Sequence, residues 1–246
     1  METLPVDAHC HLDLEQFEND RNEVIERMNE RLEFVVNAGV NPDHNRKTLE
    51  LASAHEKILP ALGLHPTYTE SFDRIGEVKE QLRQHDAAAV GEIGLDHHHV
   101  TGEEAREEQR KVFRELIRFA EKQELPVVVH SREAEKEAVK LLSEHDLEVF
   151  LHCFNGTPDL AEKAVAQGMK IGVTTQVLYS NRVENIVTRL ELEDLLLETD
   201  SPFLYRGDRN EPVNVRESAE RVAKLKDCMV EDVIRATTAN SREIFR

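Results

Sequence analysis

Short apolar runs alternate along the chain with longer amphipathic stretches. The runs fall at 5–10 (PVDAHC), 34–38 (FVVNA), 58–63 (ILPALG), 87–93 (AAAVGEI), 126–130 (PVVVH), 147–152 (LEVFLH), 169–174 (MKIGVT) and 195–199 (LLLET). Runs this short and this continuously apolar suit strands buried on both faces of a parallel sheet. Between them a helical period returns. Val112, Phe113, Leu116, Ile117, Phe119 and Ala120 share one face of a helix predicted over 101–122. Thr101 and Glu104 stand at capping-box spacing before it. Thr157 and Pro158 are placed to open a helix over 157–167, and Gly168 to stop it. Residues 212–246 read as two helices, with Asn240 as cap of a short terminal one. Eight strands separated by helices predict an α/β fold, a (β/α)8 TIM barrel formed as a single domain over 1–246. A doubly wound open sheet is the alternative, because local patterns do not show closure; the count of eight favours the barrel.

Composition narrows the picture. The 246 residues match one barrel in length, and no linker, repeat or low-complexity tract divides them. No run of about 18 apolar residues is present, so no membrane span is expected. The opening METLPVDAHCHLD has no basic leader or cleavage site, and three cysteines are an odd number. Both features predict reduced thiols in a cytoplasmic protein, with Cys10 and Cys153 as small packing residues. The net charge of −18 weighs against a tight grip on long duplex DNA. The acidic runs at 103–108 and 191–194 lie on predicted helices and read as solvated surface.

The placement of the 12 histidines then points to chemistry. His9, His11, His65, His130 and His152 all fall at or just past the C-terminal end of a predicted strand, as do Glu92 and Asp200. In a β/α barrel those ends meet at one mouth. A lone strand-end histidine is more often a core or loop residue than a ligand. The set together reads as a metal centre, with His9 and His11, two apart on one strand, facing the same side. Four imidazoles and two carboxylates suit a pair of divalent ions such as Zn²⁺, Mn²⁺, Co²⁺ or Ni²⁺. Mg²⁺ prefers oxygen ligands, but can support activity at millimolar levels.

These residues stand in Asp7-Ala8-His9-Cys10-His11-Leu12-Asp13, Gly63-Leu64-His65-Pro66, Gly91-Glu92-Ile93-Gly94-Leu95-Asp96 and His130-Ser131-Arg132. Further along come His152-Cys153-Phe154-Asn155-Gly156, Glu198-Thr199-Asp200-Ser201-Pro202 and Arg209-Asn210-Glu211-Pro212. In this order and spacing the sequence resembles the TatD family of metal-dependent deoxyribonucleases, a branch of the amidohydrolase-like barrels, almost end to end. The resemblance implies one metal held by His9, His11, Glu92 and Asp200, and a second by Glu92, His130 and His152, with Glu92 bridging. It implies that Asp200 also orients or deprotonates the attacking water. Where the family usually has an aromatic residue after Gly94-Leu95-Asp96, this chain has His97-His98-His99. That segment reads as a polar loop, with an extra metal or phosphate contact as the alternative.

The expected function is therefore hydrolysis of DNA phosphodiester bonds, in the manner of an exonuclease, with Asp200 and Glu92 as catalytic residues. His65, Arg132, Arg206 and Arg209 are the candidates for phosphate contact, Arg132 at the start of a predicted helix. Asp7 and Asp96 are expected to hold ligands in place, and Glu211 to fix a loop. The expected partners are DNA strand ends or short fragments. The alternative reaction is cleavage of a C–N or ester bond, as by an aminoacyl-tRNA deacylase. A non-catalytic metal-binding scaffold is the third reading, and it would require a missing ligand.

Overall fold

The computed structural model describes residues 3–246. Its eight strands are β1 (Asp7–Cys10), β2 (Val35–Ala38), β3 (Ile58–Leu62), β4 (Ala89–Gly94), β5 (Val127–His130), β6 (Val149–Leu151), β7 (Lys170–Val173) and β8 (Leu195–Leu197). They pair in parallel and in chain order. The main helices are α1 (Arg21–Arg31), α2 (Pro42–Ala54), α3 (Ile75–Gln84), α4 (Glu103–Gln123), α5 (Glu135–Leu142), α6 (Pro158–Val165), α7 (Asn181–Arg189), α8 (Val215–Lys226) and α9 (Val230–Phe245).

The strand parity separates two apolar layers. Val127, Val129, Val149, Leu151, Leu195 and Leu197 face the helices, where most of the hydrophobic core lies. Val36, Val128, Phe150 and Leu196 fill the barrel interior, which Ile244 and Phe245 of α9 join. One step further along the interior columns, the same parity brings His130 above Val128, His152 above Phe150 and Glu198 above Leu196. The apolar plug is therefore the floor of a polar chamber. Pairing is irregular between Asp7 and Cys10 and between Val90 and Ile93. These are the stretches that carry His9 and Glu92.

No regular ladder joins β8 to β1, and the barrel is closed by a seam of specific bonds. Thr199 N and Oγ1 donate to the buried Asp7 carboxylate at 2.8 and 2.6 Å. Asp200 N donates to His9 O, and His11 N to Ser201 O.

Most helix boundaries follow local chemistry. Thr157 Oγ1 accepts from Leu160 N with Pro158 at the first turn of α6, and Gly168 takes φ +85° beyond its end. Two expectations are corrected. Helix α4 begins after Gly102, whose φ of 93° sets the entry, and Thr101 makes no capping bond. Asn240 lies inside an unbroken α9, where its amide donates to Leu192 O and Leu195 O at 2.8 Å. Those tertiary bonds to the start of β8 outweigh its preference for a cap.

Candidate metal centre

Glu92 is the hub of the mouth. It is 2% exposed, and its two oxygens face different imidazoles. Oε2 lies 3.3 Å from His9 Nε2 and 3.6 Å from His11 Nε2. Oε1 lies 2.9 Å from His130 Nδ1, 3.3 Å from His65 Nε2 and 3.7 Å from His152 Nε2. Asp200 Oδ1 completes the first group, 3.5 Å from His11 Nε2 and 3.8 Å from His9 Nε2, and is also 3.8 Å from His152 Nε2. Donor atoms around a tetrahedral Zn²⁺ with bonds of 2.0–2.2 Å stand roughly 3.4 Å apart. The set fits divalent ions on this measure.

Three of the rings are aimed by their far nitrogens. His11 Nδ1 is 2.8 Å from Ala38 O, His152 Nδ1 is 2.6 Å from Glu198 Oε2, and His130 Nε2 is 2.9 Å from Asp96 Oδ2. All three turn the other nitrogen to the centre. His9 Nδ1 is buried and has no hydrogen-bond partner among the described residues. His65 differs. Its Nδ1 accepts from Thr67 N, so the neutral ring carries its proton on Nε2 and presents a donor to the chamber. That suits a phosphate oxygen better than an ion, although the ring is close enough to Glu92 and His130 to join a ligand group.

Glu198 received no role from sequence, and the structure gives it one. It is fully buried, grips His152 with one oxygen and accepts from Cys153 N with the other at 2.7 Å. Burial pushes its carboxyl up to about 8, against the opposing pull of His9 and the Cys153 N–H. Its place is open only because position 172 is glycine: a Cβ there would stand 2.3 Å from Glu198 Oε1. A lone acid after the apolar run Leu195–Leu197 was the available signal.

The protonation pattern suits the binding of cations. Burial would raise Glu92, but the surrounding imidazoles hold it well below the usual carboxylate range. Asp200 is lowered in the same way, its burial outweighed by His152 and His11. Burial keeps His9, His65 and His152 below their ordinary value. In His11 and His130, burial is outweighed by bonds to Asp200 and Asp96 and by the Glu92 charge, and both rise to about 9. A metal ligand must be a neutral imidazole. Ion binding at neutral pH is therefore expected to expel protons from these two rings. Affinity should climb with pH until about 9 and then level, as calorimetry in buffers of different ionisation enthalpy will read. Zero proton release would contradict this reading. The Cys10 and Cys153 thiols are pushed well above their ordinary value by burial, and all three cysteines are free.

The segment His97-His98-His99 folds around Asp96. Its carboxylate accepts the His98 and His99 backbone N–H groups and lies 2.9 Å from both His99 Nδ1 and His130 Nε2. His98 turns to Glu133. Asp96 thus aims His130 directly, whereas Asp7 acts on the seam and on the His9 backbone.

The arginines part company. Arg132 lies in the turn ahead of α5, not at its first residue, and is exposed. Arg206 sits, exposed, on a turn bridged by Tyr205 and Asp208. Neither side chain has an acidic partner among the described residues. Arg209 is occupied: it donates to Asp20 at 2.7 and 2.5 Å and to Glu211 at 3.2 Å, and it covers the Phe17 ring. It clamps the loop after β8, with Glu211 in turn held by Arg27.

Asn210 was also missed. Fully buried, it donates to Thr199 O and Phe203 O at 2.9 and 2.8 Å and accepts from Glu211 N, so it pins the loop that carries Asp200. Asn210→Ala leaves several buried groups unpaired, an expected loss of about 3 kcal/mol. Thermal unfolding should register it as a midpoint lower by about 10 °C.

A family profile described as TatD related DNase matches residues 6–246. The chain belongs to that family. Among its TatD relatives, the human protein named deoxyribonuclease TATDN3 is 34% identical, over 98% of this chain and 94% of that one. The Bacillus subtilis protein named uncharacterized metal-dependent hydrolase YabD is 32% identical over 98% of both. The crystal structure of the Escherichia coli TatD homologue YJJV superposes with a TM-score of 0.89 at 28% identity, covering 100% of this chain and 99% of that one. The chain is a TatD-family metal-dependent hydrolase built on an eight-stranded β/α barrel.

Proposed function

We propose that the chain hydrolyses phosphodiester bonds at DNA strand ends, using two divalent ions. One observation carries the proposal: a single carboxylate, Glu92, turns one oxygen to His9 and His11 and the other to His65, His130 and His152. One ion is assigned to His9, His11, Glu92 and Asp200, and the second to Glu92, His130 and His152. Bound there, divalent ions acidify water and draw charge from the phosphoryl oxygens.

The chain's own groups do the rest. Glu92 fixes the separation of the two halves of the site. Asp200, ionised and beside both, accepts the proton of the attacking water. His65 Nε2–H donates to a phosphate oxygen, and the exposed Arg132 and Arg206 hold the strand beyond it. The name of the human relative supports DNA as the substrate.

The test is metal-free protein given end-labelled single-stranded DNA with Mg²⁺, Mn²⁺, Co²⁺ or Zn²⁺ in turn. Metal-dependent ladders, with polarity read from the labelled end, are the expected outcome. Intact DNA under all four metals, with two ions per chain by elemental analysis, sinks the reading.

A further inference from the structure

On a chain with 49 acidic and 31 basic residues, the side of the barrel between α3 and α4 is cationic. A groove of about 930 Å³ lies there. Along its α4 wall stand Arg114, Arg118 and Lys122, four residues apart, and none has an acidic partner among the described residues. On the α3 wall, Lys79 and Arg83 lie over the Phe119 ring, 6.0 and 5.2 Å from its centroid. The acids nearby are already engaged: Glu115 by Lys79, Glu108 by Lys111 and Glu80 by Arg83. The excess positive charge is therefore the α4 row.

We infer that this groove is a second binding site, remote from the metal centre, for the phosphodiester backbone of the nucleic-acid strand whose end lies in the mouth. The inference rests on the nuclease reading for the identity of the strand. Its geometry is independent of the metal site. Residues four apart on a helix advance about 6 Å per step, so the three cations form a straight row about 12 Å long. A repeating charge matches such a row; a compact anion touches only one or two of its members. Helix α4 starts at the rim, so Lys111 lies about 12 Å and Lys122 about 28 Å below Glu103 along the helix axis. Only a strand long enough to leave the mouth and follow α4 reaches the groove. Net charge hid this surface, since most of the acids lie elsewhere.

The experiment compares metal-loaded wild type with the triple variant Arg114→Gln/Arg118→Gln/Lys122→Gln. Anisotropy of a long fluorescent phosphorothioate strand reads binding without cleavage, and KM is measured for long single-stranded DNA and for a dinucleotide. Three single-strand phosphate contacts contribute about −2 to the slope of log affinity against log salt. The variant should lose that much slope. Its deficit in long-strand affinity against wild type should therefore be about 20-fold larger at the lower end of a 50–200 mM salt series than at the upper end. Its KM should rise for the long substrate alone, with kcat and dinucleotide turnover unchanged, which also shows that it is folded. Unchanged strand binding overturns the inference whether or not the protein cleaves DNA. A variant that alters sedimentation of the free protein instead of strand binding overturns it too, making the groove a contact between copies. Groove-dependent binding by a protein that cleaves no DNA sinks the nuclease reading and leaves the groove standing.

Discussion

Asp200→Asn is expected to lower kcat by about a thousandfold while leaving KM and the fold nearly unchanged. The substitution keeps the shape of the side chain. Asparagine also tolerates the left-handed backbone found here, where φ is 57°. The seam bond from Asp200 N to His9 O belongs to the main chain and survives. What disappears is a largely buried negative charge 3.5 Å from His11 Nε2, and with it the proposed acceptor for the water's proton. Steady-state kinetics on a short DNA, with the metal content of both proteins measured, decides the matter. A loss smaller than tenfold at equal metal content removes Asp200 from the proton-accepting role.

The second large effect is expected at a residue that touches no substrate. Glu198→Ala frees His152 to rotate and leaves Cys153 N without its acceptor, which predicts a 10- to 100-fold loss in metal affinity or activity. Glu198→Gln should fall between wild type and alanine. It keeps an oxygen for Cys153 N, but its amide cannot accept from His152 Nδ1 in the way the carboxylate does. Gly172→Ala should reproduce the defect from the neighbouring strand, because its methyl group claims the space of the Glu198 carboxylate. The readout is the metal concentration that gives half-maximal activity. If Glu198 positions His152, that midpoint shifts and excess metal restores part of the rate. An unmoved midpoint in the alanine variant assigns Glu198 to structure alone.

How far sequence reaches is clearest at these two acids. All eight strands were legible because burial on both faces leaves apolar runs with no polar alternation, and their order predicts the parallel sheet. His9, His11, Glu92, His130, His152 and Asp200 could be placed because a barrel gathers strand ends, so position along the chain translates into position in space. Glu198 escaped because its partner is a ring nitrogen 46 residues away. Asn210 and Asn240 escaped for the same reason: their amides answer to distant carbonyls, which no local pattern encodes. Arg209 shows the opposite error. Its chemistry suits phosphate, yet Asp20, 189 residues earlier in sequence, occupies its fork.

The seam between β8 and β1 has a consequence for how the enzyme is made. Asp7 and Thr199 are separated by 192 residues, a span a ribosome covers in roughly 10 to 40 s. Through that interval His9 and His11 already exist, but Asp200 does not, and Asp7 has nothing to close against. A chain halted between His152 and Thr199 carries five of the six side chains proposed to hold metal, and an open barrel. On the proposed mechanism, hydrolysis thus arrives only with the final strand, and interrupted synthesis yields fragments without it.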